Sequence, residues 1–187
     1  DGGTIFRYDG ASWTQIESGT PFAITIVWGS SPSDIFIHDA FHIIHYDGIS
    51  WSEMDTIGME RTHDIYDIWG SSSSDVFAVG LWGGISHYNG RSWSMMRRSN
   101  VGDPNLLCTW GSSASDVFTV GERGRILHYD GRTWSQILSG TTNNLTGVWG
   151  TSPRDVFAVG AGGVILQYNG RSWNQMFSGT TDDLHGI

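Results

Sequence analysis

The chain alternates short apolar runs with clusters of glycine, serine, asparagine and aspartate. The runs are four to six residues long, which is typical of strands rather than helices. The clearest segment predicts four strands, at residues 145–149, 155–159, 163–168 and 172–177. Nowhere do apolar residues recur at a spacing of 3.6 over the length of a helix. The pattern therefore predicts an all-β protein.

This four-strand pattern recurs about every 40 residues. Each recurrence contains a Trp-Gly pair, and the pairs begin at Trp28, Trp69, Trp110 and Trp149, with spacings of 41, 41 and 39 residues. Six residues after each tryptophan an aspartate opens the second strand, and a Tyr-Asp/Asn-Gly-x-x-Trp motif joins the third strand to the fourth. Four strands in a repeat of this length predict a β-propeller blade.

We expect a single propeller domain over residues 1–187, with repeats at about 22–60, 61–101, 102–141 and 142–180. Residues 1–21 align with the third and fourth strands of a repeat, and residues 181–187 align with the beginning of a first strand. The interpretation that we favour is a five-bladed propeller in which these two segments share an incomplete blade. The alternative is a piece of a longer propeller. An incomplete blade presents an unpaired strand edge, so self-association through it is also expected.

Composition narrows the classes of partner. The 19 acidic and 10 basic residues give a net charge of −9, and every basic residue is arginine. An acidic surface argues against nucleic-acid binding, and no apolar stretch is long enough for a membrane-spanning helix, so no membrane insertion is expected. Cys108 is the single cysteine, and its place at the start of a strand predicts a small buried apolar side chain.

The hairpin motifs carry a family resemblance. Segments such as Asn89-Gly90-Arg91-Ser92-Trp93 look like a shortened Asp-box of sialidase-type propellers. The surrounding Leu-x-Gly-Val-Trp-Gly and Val-Phe-Ala-Val-Gly patterns resemble photosystem II assembly-factor-like propellers and the repeats of bacterial surface proteins. The resemblance implies the propeller fold for the whole chain and a secreted or cell-surface location. It leaves function open, because such propellers include both enzymes and binding proteins.

Most repeated polar residues have a structural interpretation. The serines and aspartate of Ser-Ser-x-x-Asp are expected to bond backbone N–H groups in the turn between the first two strands. His45 shares its repeat position with arginine and glutamine, which is typical of a polar strand position. His38, His42 and His45 form a His-x3-His-x2-His pattern, but an intervening loop argues against a metal site. We expect neither a metal nor a cofactor.

The candidate binding site lies on one face of the propeller. Loops between the second and third strands, together with the connections between repeats, form a face that varies from blade to blade, and such loops on a rigid frame commonly bind ligands. We call it the loop face. Trp82 and Phe41 are the leading candidates, because other repeats have small or polar residues at these places. The other candidate residues on this face are Asp39, His42, Glu122, Arg123, Arg97 and Arg98.

These residues favour a non-catalytic binding module. Aromatic rings beside carboxylates and arginines suit a glycan, and hence lectin-like binding. They suit a protein partner in an interaction or assembly scaffold nearly as well. A glycoside hydrolase-like enzyme is a further alternative, because carboxylates are plentiful. However, all five repeated tyrosines lie at the hairpins of the opposite face, and no catalytic sequence motif is present.

Overall fold

The computed structural model describes residues 2–39, 41–55 and 65–187. The boundary predicted between residues 60 and 61 lies outside this part of the chain. The strands are β1 (Thr4–Tyr8), β2 (Trp13–Glu17), β3 (Ile26–Ser31), β4 (Asp34–His38), β5 (Ile43–Tyr46), β6 (Trp51–Glu53), β7 (Ile65–Ser72), β8 (Asp75–Gly80), β9 (Ile85–Tyr88), β10 (Trp93–Arg97), β11 (Leu106–Ser113), β12 (Asp116–Gly121), β13 (Ile126–Tyr129), β14 (Trp134–Gln136), β15 (Leu145–Ser152), β16 (Asp155–Gly160), β17 (Val164–Tyr168) and β18 (Trp173–Met176).

Each strand pairs antiparallel with its neighbour in the chain. β1 and β2 form a two-stranded sheet, and four four-stranded sheets follow as β3–β6, β7–β10, β11–β14 and β15–β18. Beyond the last sheet the next repeat begins beside β15, where Leu184 N donates to Gly160 O at 3.1 Å and Thr146 Oγ1 donates to Leu184 O at 2.5 Å. The all-β propeller prediction is confirmed, and the five sheets agree with the predicted blade count. No helix among the described residues is long and apolar enough to cross a membrane.

The strands of the last complete repeat were predicted almost to the residue. The first strand of this repeat, β15, which we call its inner strand, runs three residues further than expected, to Ser152. The extension contains a register shift between Gly150 and Ser152, so the strand bends into the turn before β16. Residues that looked like a turn in the sequence therefore still pair across the sheet.

The hairpins between third and fourth strands form as predicted. In the first of them Asp9 Oδ1 accepts the N–H groups of Ala11 and Ser12, both at 2.8 Å. Gly10 has φ of +98°, a left-handed conformation that glycine adopts without steric cost. Because these two hydrogen bonds stabilise the charged carboxylate, they lower the pKa of Asp9.

The turn aspartates act differently from the sequence prediction. Asp116 bonds no backbone N–H among the contacts described; instead its Oδ2 accepts Ser112 Oγ at 2.5 Å and its Oδ1 meets His128 Nε2 at 2.7 Å. The same arrangement joins Asp34 to His45 and Asp75 to His87, while Gln167 replaces histidine beside Asp155. The aspartate thus fixes the third strand to the turn. The second serine of each turn does bond a backbone N–H, as expected.

Blades pack through aromatic rings and small residues. A Cβ atom on Gly70 would lie 2.6 Å from the Trp28 ring of the preceding blade, so only glycine leaves room for that ring. In three blades the phenylalanine of the second strand meets the tyrosine of the following blade's hairpin, as in Phe118 and Tyr168, with ring centroids 5.2 Å apart. Because this contact recurs between consecutive blades, the core forms as a series of layers between sheets.

Candidate functional site

One hydrogen bond shapes the loops of the loop face in three successive blades. Each loop is a single 3-10 turn whose middle residue is left-handed, and the N–H of that residue donates to a side chain from the connection into the next sheet. The pairs are Trp82 N to Asn105 Oδ1 at 2.8 Å, Arg123 N to Asn144 Oδ1 at 3.0 Å and Gly162 N to Asp183 Oδ1 at 2.8 Å. The backbone of the loop face is thus tied from blade to blade, and the middle side chain varies.

Trp82 occupies this left-handed position with φ of +50°. That conformation costs an L-residue about 1–2 kcal/mol, which glycine avoids. The predicted loop-tip position is correct, but the indole is partly buried. Trp82 therefore exposes only part of its ring to solvent.

Arg97 is directed by an irregularity in β10. The pairing with β9 shifts register between Met95 and Arg97, and such bulges commonly redirect a side chain. The guanidinium donates to Gly83 O and, through Nη2, to Asp103 Oδ2 at 2.7 Å. This hydrogen bond and the charge of Arg97 hold the pKa of Asp103 below its usual value. Arg97 thus fastens the loop that contains Trp82, whereas the neighbouring Arg98 is exposed.

Glu122 also holds the loops in place through hydrogen bonds. Its carboxylate accepts Asn105 Nδ2 at 2.9 Å and Asn105 N at 3.1 Å. Since Asn105 also accepts the N–H of Trp82, the two predicted residues belong to one network that crosses from the third sheet to the fourth. Arg123, beside Glu122, is exposed.

Asp39 is fully buried beneath the loop that follows β4. Its Oδ1 accepts the N–H groups of Phe41 and His42 at 3.0 and 2.8 Å, and its Oδ2 accepts Thr20 Oγ1 at 2.5 Å. Burial alone would raise the pKa of Asp39, but these hydrogen bonds outweigh it and hold the pKa below its usual value. The carboxylate therefore anchors the loop from below, and both of its oxygens are engaged in hydrogen bonds.

Two phenylalanines lie above this anchor. The rings of Phe22 and Phe41 are 4.8 Å apart, and their exposed fractions are 42% and 48%. The His42 ring lies within 6.3 Å of both, and His42 Nε2 is 3.7 Å from the exposed Glu53 carboxylate. Phe22 and His42 line a cleft of about 190 Å³, and the Phe41 ring packs against both of them beside it. We call this region the Phe22–Phe41 cleft; it is lined by Ser18, Gly19, Thr20, Pro21, Phe22, Asp39, His42, Ile44, Trp51 and Glu53.

Six of the eight predicted residues therefore fall into two groups on the loop face, and Arg98 and Arg123 are exposed outside both groups. Asp39, Phe41 and His42 meet at the cleft, whereas Trp82, Arg97 and Glu122 belong to the network around Asn105. Sequence reasoning missed Phe22. It is a large aromatic residue in the connection before β3, and that was a usable signal.

The three histidines of the His-x3-His-x2-His pattern have separate partners. His38 Nδ1 lies 3.0 Å from Thr25 Oγ1, His42 bonds Asp39, and His45 Nε2 lies 2.7 Å from Asp34 Oδ1. Within the described ranges, no group of three or more histidine, cysteine or acidic side chains is arranged to hold a metal ion.

A pair of polar side chains that sequence reasoning missed lies on the inner strands of two neighbouring sheets. Asp67 in β7 accepts the N–H of Thr109 at 2.8 Å and is hydrogen-bonded to the Cys108 thiol of the next inner strand, β11. Burial raises the pKa of Asp67, and burial together with the nearby Asp67 charge raises the pKa of Cys108 to about 12. Cys108 is therefore only partly buried, where the sequence predicted a buried apolar side chain, and it has a polar partner.

The chain matches no family model and no curated protein. Among solved structures it resembles YCF48 bound to a D1 peptide, with 16% identity, a TM-score of 0.64, and coverage of 89% of this chain but only 57% of that one. YCF48 from Cyanidioschyzon merolae is 14% identical, with a TM-score of 0.72 and coverage of 97% of this chain and 69% of that one.

Two other kinds of protein share the fold. The extracellular domain of BT4673 from B. thetaiotaomicron gives 14% identity, a TM-score of 0.71, and coverage of 98% of this chain and 26% of that one. An ancestral GH74 enzyme is 13% identical, with a TM-score of 0.62 and coverage of 82% of this chain and 24% of that one. Identities this low establish a common architecture and leave the ligand undetermined. The chain is thus a β-propeller whose fold is shared by a peptide-bound protein, an extracellular domain and an enzyme.

Proposed function

We propose that the chain is a non-catalytic binding module that takes a segment of another protein at the Phe22–Phe41 cleft. The observation that carries the proposal is the exposed pair of phenylalanine rings, 4.8 Å apart, above the buried and fully hydrogen-bonded Asp39. A pair of apolar rings held by such an anchor is suited to binding rather than to proton transfer.

The cleft has the features of a binding hot spot. Burying both rings under a ligand removes their apolar surface from water, which contributes about 25 cal/mol of favourable binding free energy per Å² buried. Because Asp39 already fixes the Phe41 loop through two backbone N–H groups, little conformational entropy is lost on binding. His42 and Glu53 supply polar groups at the rim, which orient a ligand.

Charge indicates the kind of segment. The net charge of −9 and the exposed Glu53 carboxylate favour a ligand with basic residues, which would also associate faster at low salt. The precedent in the fold is YCF48, whose structure with a D1 peptide shows that a propeller of this kind can take a peptide. A secreted or cell-surface location is part of the proposal, supported by the extracellular BT4673 domain.

Lectin-like binding is the second candidate. The cleft places the Thr20 hydroxyl and the Glu53 carboxylate beside aromatic rings. This combination suits a sugar, whose C–H face stacks on a ring while its hydroxyls bond the polar groups. A cleft of about 190 Å³ would accommodate only part of a glycan.

The test screens one purified protein against a displayed random-peptide library and a glycan array. Phe22→Ser and Phe41→Ser are the test variants. Phe177→Ser is the matched control, because Phe177 is almost wholly exposed and lies outside the cleft. We expect enriched peptides with basic and apolar residues, and affinity that falls at least about tenfold in the test variants only.

The other outcomes are equally informative. Glycan hits that depend on Phe41, with no peptide hits, would replace the proposal with the lectin-like candidate. Peptide binding that survives both cleft substitutions would show that the cleft is not the site. Circular dichroism of each variant confirms that lost binding is not lost folding.

A further inference from the structure

A second cleft on the loop face is built from one blade. It lies between the loop that joins β12 to β13 and the segment that follows β14, and its volume is about 570 Å³, which is within the range of ligand sites. Arg123 and Gly124 line it from the loop, and residues 136–142 line it from the other segment. We call it the Arg123–Leu138 cleft. It shares no lining residue with the Phe22–Phe41 cleft.

Backbone contacts and hydrogen bonds hold both segments of this cleft in place. A Cβ atom on Gly124 would lie 2.1 Å from Thr141 O, so only glycine lets the two segments approach so closely. The buried Ser139 hydroxyl donates to Thr141 O at 3.1 Å and accepts the Thr141 N–H at 3.2 Å. Because the backbone is fixed before a ligand arrives, little conformational entropy is lost on binding.

Two side chains of the cleft have hydrogen-bond donors to offer. Arg123 is exposed, and within the described ranges its guanidinium takes part in no ion pair. Gln136 accepts Arg125 Nη1 with its amide oxygen at 3.4 Å, which leaves the amide N–H₂ group to donate elsewhere. An arginine guanidinium beside an amide N–H₂ group is suited to a carboxylate.

The acidic side chains of this region are engaged elsewhere. None of the described residues that line the Arg123–Leu138 cleft is acidic, whereas Asp39 and Glu53 line the Phe22–Phe41 cleft. Glu122, the neighbour of Arg123, has both carboxylate oxygens on Asn105. The local charge of this cleft is therefore opposite to the net charge of the chain, and it favours an anionic ligand.

The backbone at Arg123 indicates that its side chain has a use. Arg123 has φ of +55°, and the equivalent residue of the next blade is Gly162, with φ of +67°. Glycine adopts this conformation at the least cost, and the N–H group that the scaffold uses is the same in both residues. Strain of this kind commonly accompanies a functional side chain.

An exposed apolar side chain lies in the same cleft. Leu138 is 84% exposed, so a ligand that covers it removes apolar surface from water. Arg123 and Leu138 come from different segments, so a ligand that uses both must carry an acidic group and an apolar group side by side. A peptide with an acidic residue next to an apolar residue has this composition.

We propose that the Arg123–Leu138 cleft binds an acidic segment of a partner protein, in which an aspartate or glutamate adjoins an apolar residue. The carboxylate accepts hydrogen bonds from the Arg123 guanidinium and the Gln136 amide, and the apolar side chain covers Leu138. This segment is opposite in charge to the one proposed for the Phe22–Phe41 cleft, and the two proposals are independent.

Fluorescence anisotropy with two labelled peptides tests the charge. One peptide has a single glutamate beside a leucine in a glycine–serine background, and its partner has glutamine in place of glutamate. We expect the parent chain to bind the glutamate peptide at least about tenfold more tightly. Equal binding of the two peptides, or no binding up to the solubility limit, overturns the proposal. Displacement by equimolar acetate would show a site for the anion alone and would also overturn it.

Arg123→Gly tests the guanidinium without endangering the fold, because glycine suits the left-handed backbone at this position. This variant should bind both peptides equally weakly, since the glutamate then lacks its charged partner. Arg132→Gln is the matched control: it removes one positive charge from an exposed residue of the same sheet, at the hairpin of the opposite face. It should keep the preference for glutamate. A preference that survives Arg123→Gly contradicts the proposal.

Leu138→Ser tests the apolar contact. Phe177→Ser is its control, because Phe177 holds the equivalent position in the next blade, is 97% exposed and has Gly162 in place of Arg123 across from it. Leu138→Ser should weaken binding of the glutamate peptide severalfold, and Phe177→Ser should not. Phe22→Ser should leave this binding unchanged; a loss there would place the peptide in the Phe22–Phe41 cleft and overturn the assignment to this one.

Discussion

Replacing His128 tests the idea that the turn aspartates, rather than the hairpins alone, fix the third strand of each blade. In His128→Gln an amide N–H can still donate to Asp116, because Gln167 donates to Asp155 at 2.9 Å in the next blade. In His128→Ala the carboxylate loses this donor, and the ring stacked on Phe118 at 4.3 Å is lost as well. The two variants should therefore differ in stability.

The magnitudes follow from the contacts. A hydrogen bond to a charged group contributes about 1.5–3 kcal/mol, and Asp116 and His128 are both mostly buried. Ring stacking contributes about 0.5–1.5 kcal/mol. We expect His128→Ala to cost about 3 kcal/mol in the free energy of unfolding, and His128→Gln, which loses only the stacking, about 1 kcal/mol.

Urea unfolding followed by tryptophan fluorescence measures the difference. With a slope of about 2 kcal/mol per molar, His128→Ala should lower the midpoint by about 1.5 M and His128→Gln by about 0.5 M. Gln167→His is the reverse control and should be tolerated, because histidine occupies this position in three other blades. Equal losses for His128→Gln and His128→Ala, or a negligible loss for His128→Ala, would refute the reasoning.

Three other predictions concern backbone strain and buried groups. Gly162→Ala should lower the free energy of unfolding by about 1 kcal/mol, because residue 162 has φ of +67°, whereas Arg123→Gly should be neutral or stabilising in the same urea assay. Cys108, with its pKa raised to about 12, should resist alkylation by iodoacetamide at pH 8 in the folded chain and react rapidly in urea, so fast alkylation of the folded chain would contradict its burial. Burial raises the pKa of Asp67 above 3.8; the unfolded carboxyl ionises more readily, so its stability contribution is present below about pH 3.8 and is lost as pH rises through the folded pKa. The stability of the parent relative to Asp67→Asn should fall from pH 4 toward neutrality, and a difference that does not vary with pH would argue against the raised pKa.

Much of the fold was readable because its determinants are local and repeated. The hairpin motif combines an aspartate or asparagine acceptor with a glycine that takes positive φ, and both act within a few residues. The role of the turn aspartates was harder to predict, because Asp116 and His128 are 12 residues apart and meet across two strands. A clue was present: the residue beside the aspartate is histidine or glutamine in the four complete blades, and both can donate a hydrogen bond.

The candidate site was less predictable, since residue type does not reveal which side of a loop faces water. Asp39 belongs to a chemical class suited to ligand binding, yet it is fully buried beneath Phe41. Arg97 looks like a surface cation, but the extra residue in β10 directs it onto Gly83 O. That extra residue is visible in the sequence, because Ser99 lies six residues after Trp93 whereas the equivalent Ser139 lies five residues after Trp134. Its consequence depends on a loop more than ten residues away.

The middle position of the loops separates what the scaffold requires from what it permits. The scaffold uses only the N–H of that residue, which donates to the next blade whether the residue is Trp82, Arg123 or Gly162. It also imposes a left-handed backbone, for which glycine is the least costly residue. Tryptophan and arginine at two of the three positions therefore work against the local preference, and their contribution must lie in the side chain. Since Arg123 points into water while Trp82 is partly buried beside the loop held by Arg97, the two positions are expected to differ in function. We expect Trp82 to stabilise its own corner of the loop face and Arg123 to be available to a partner.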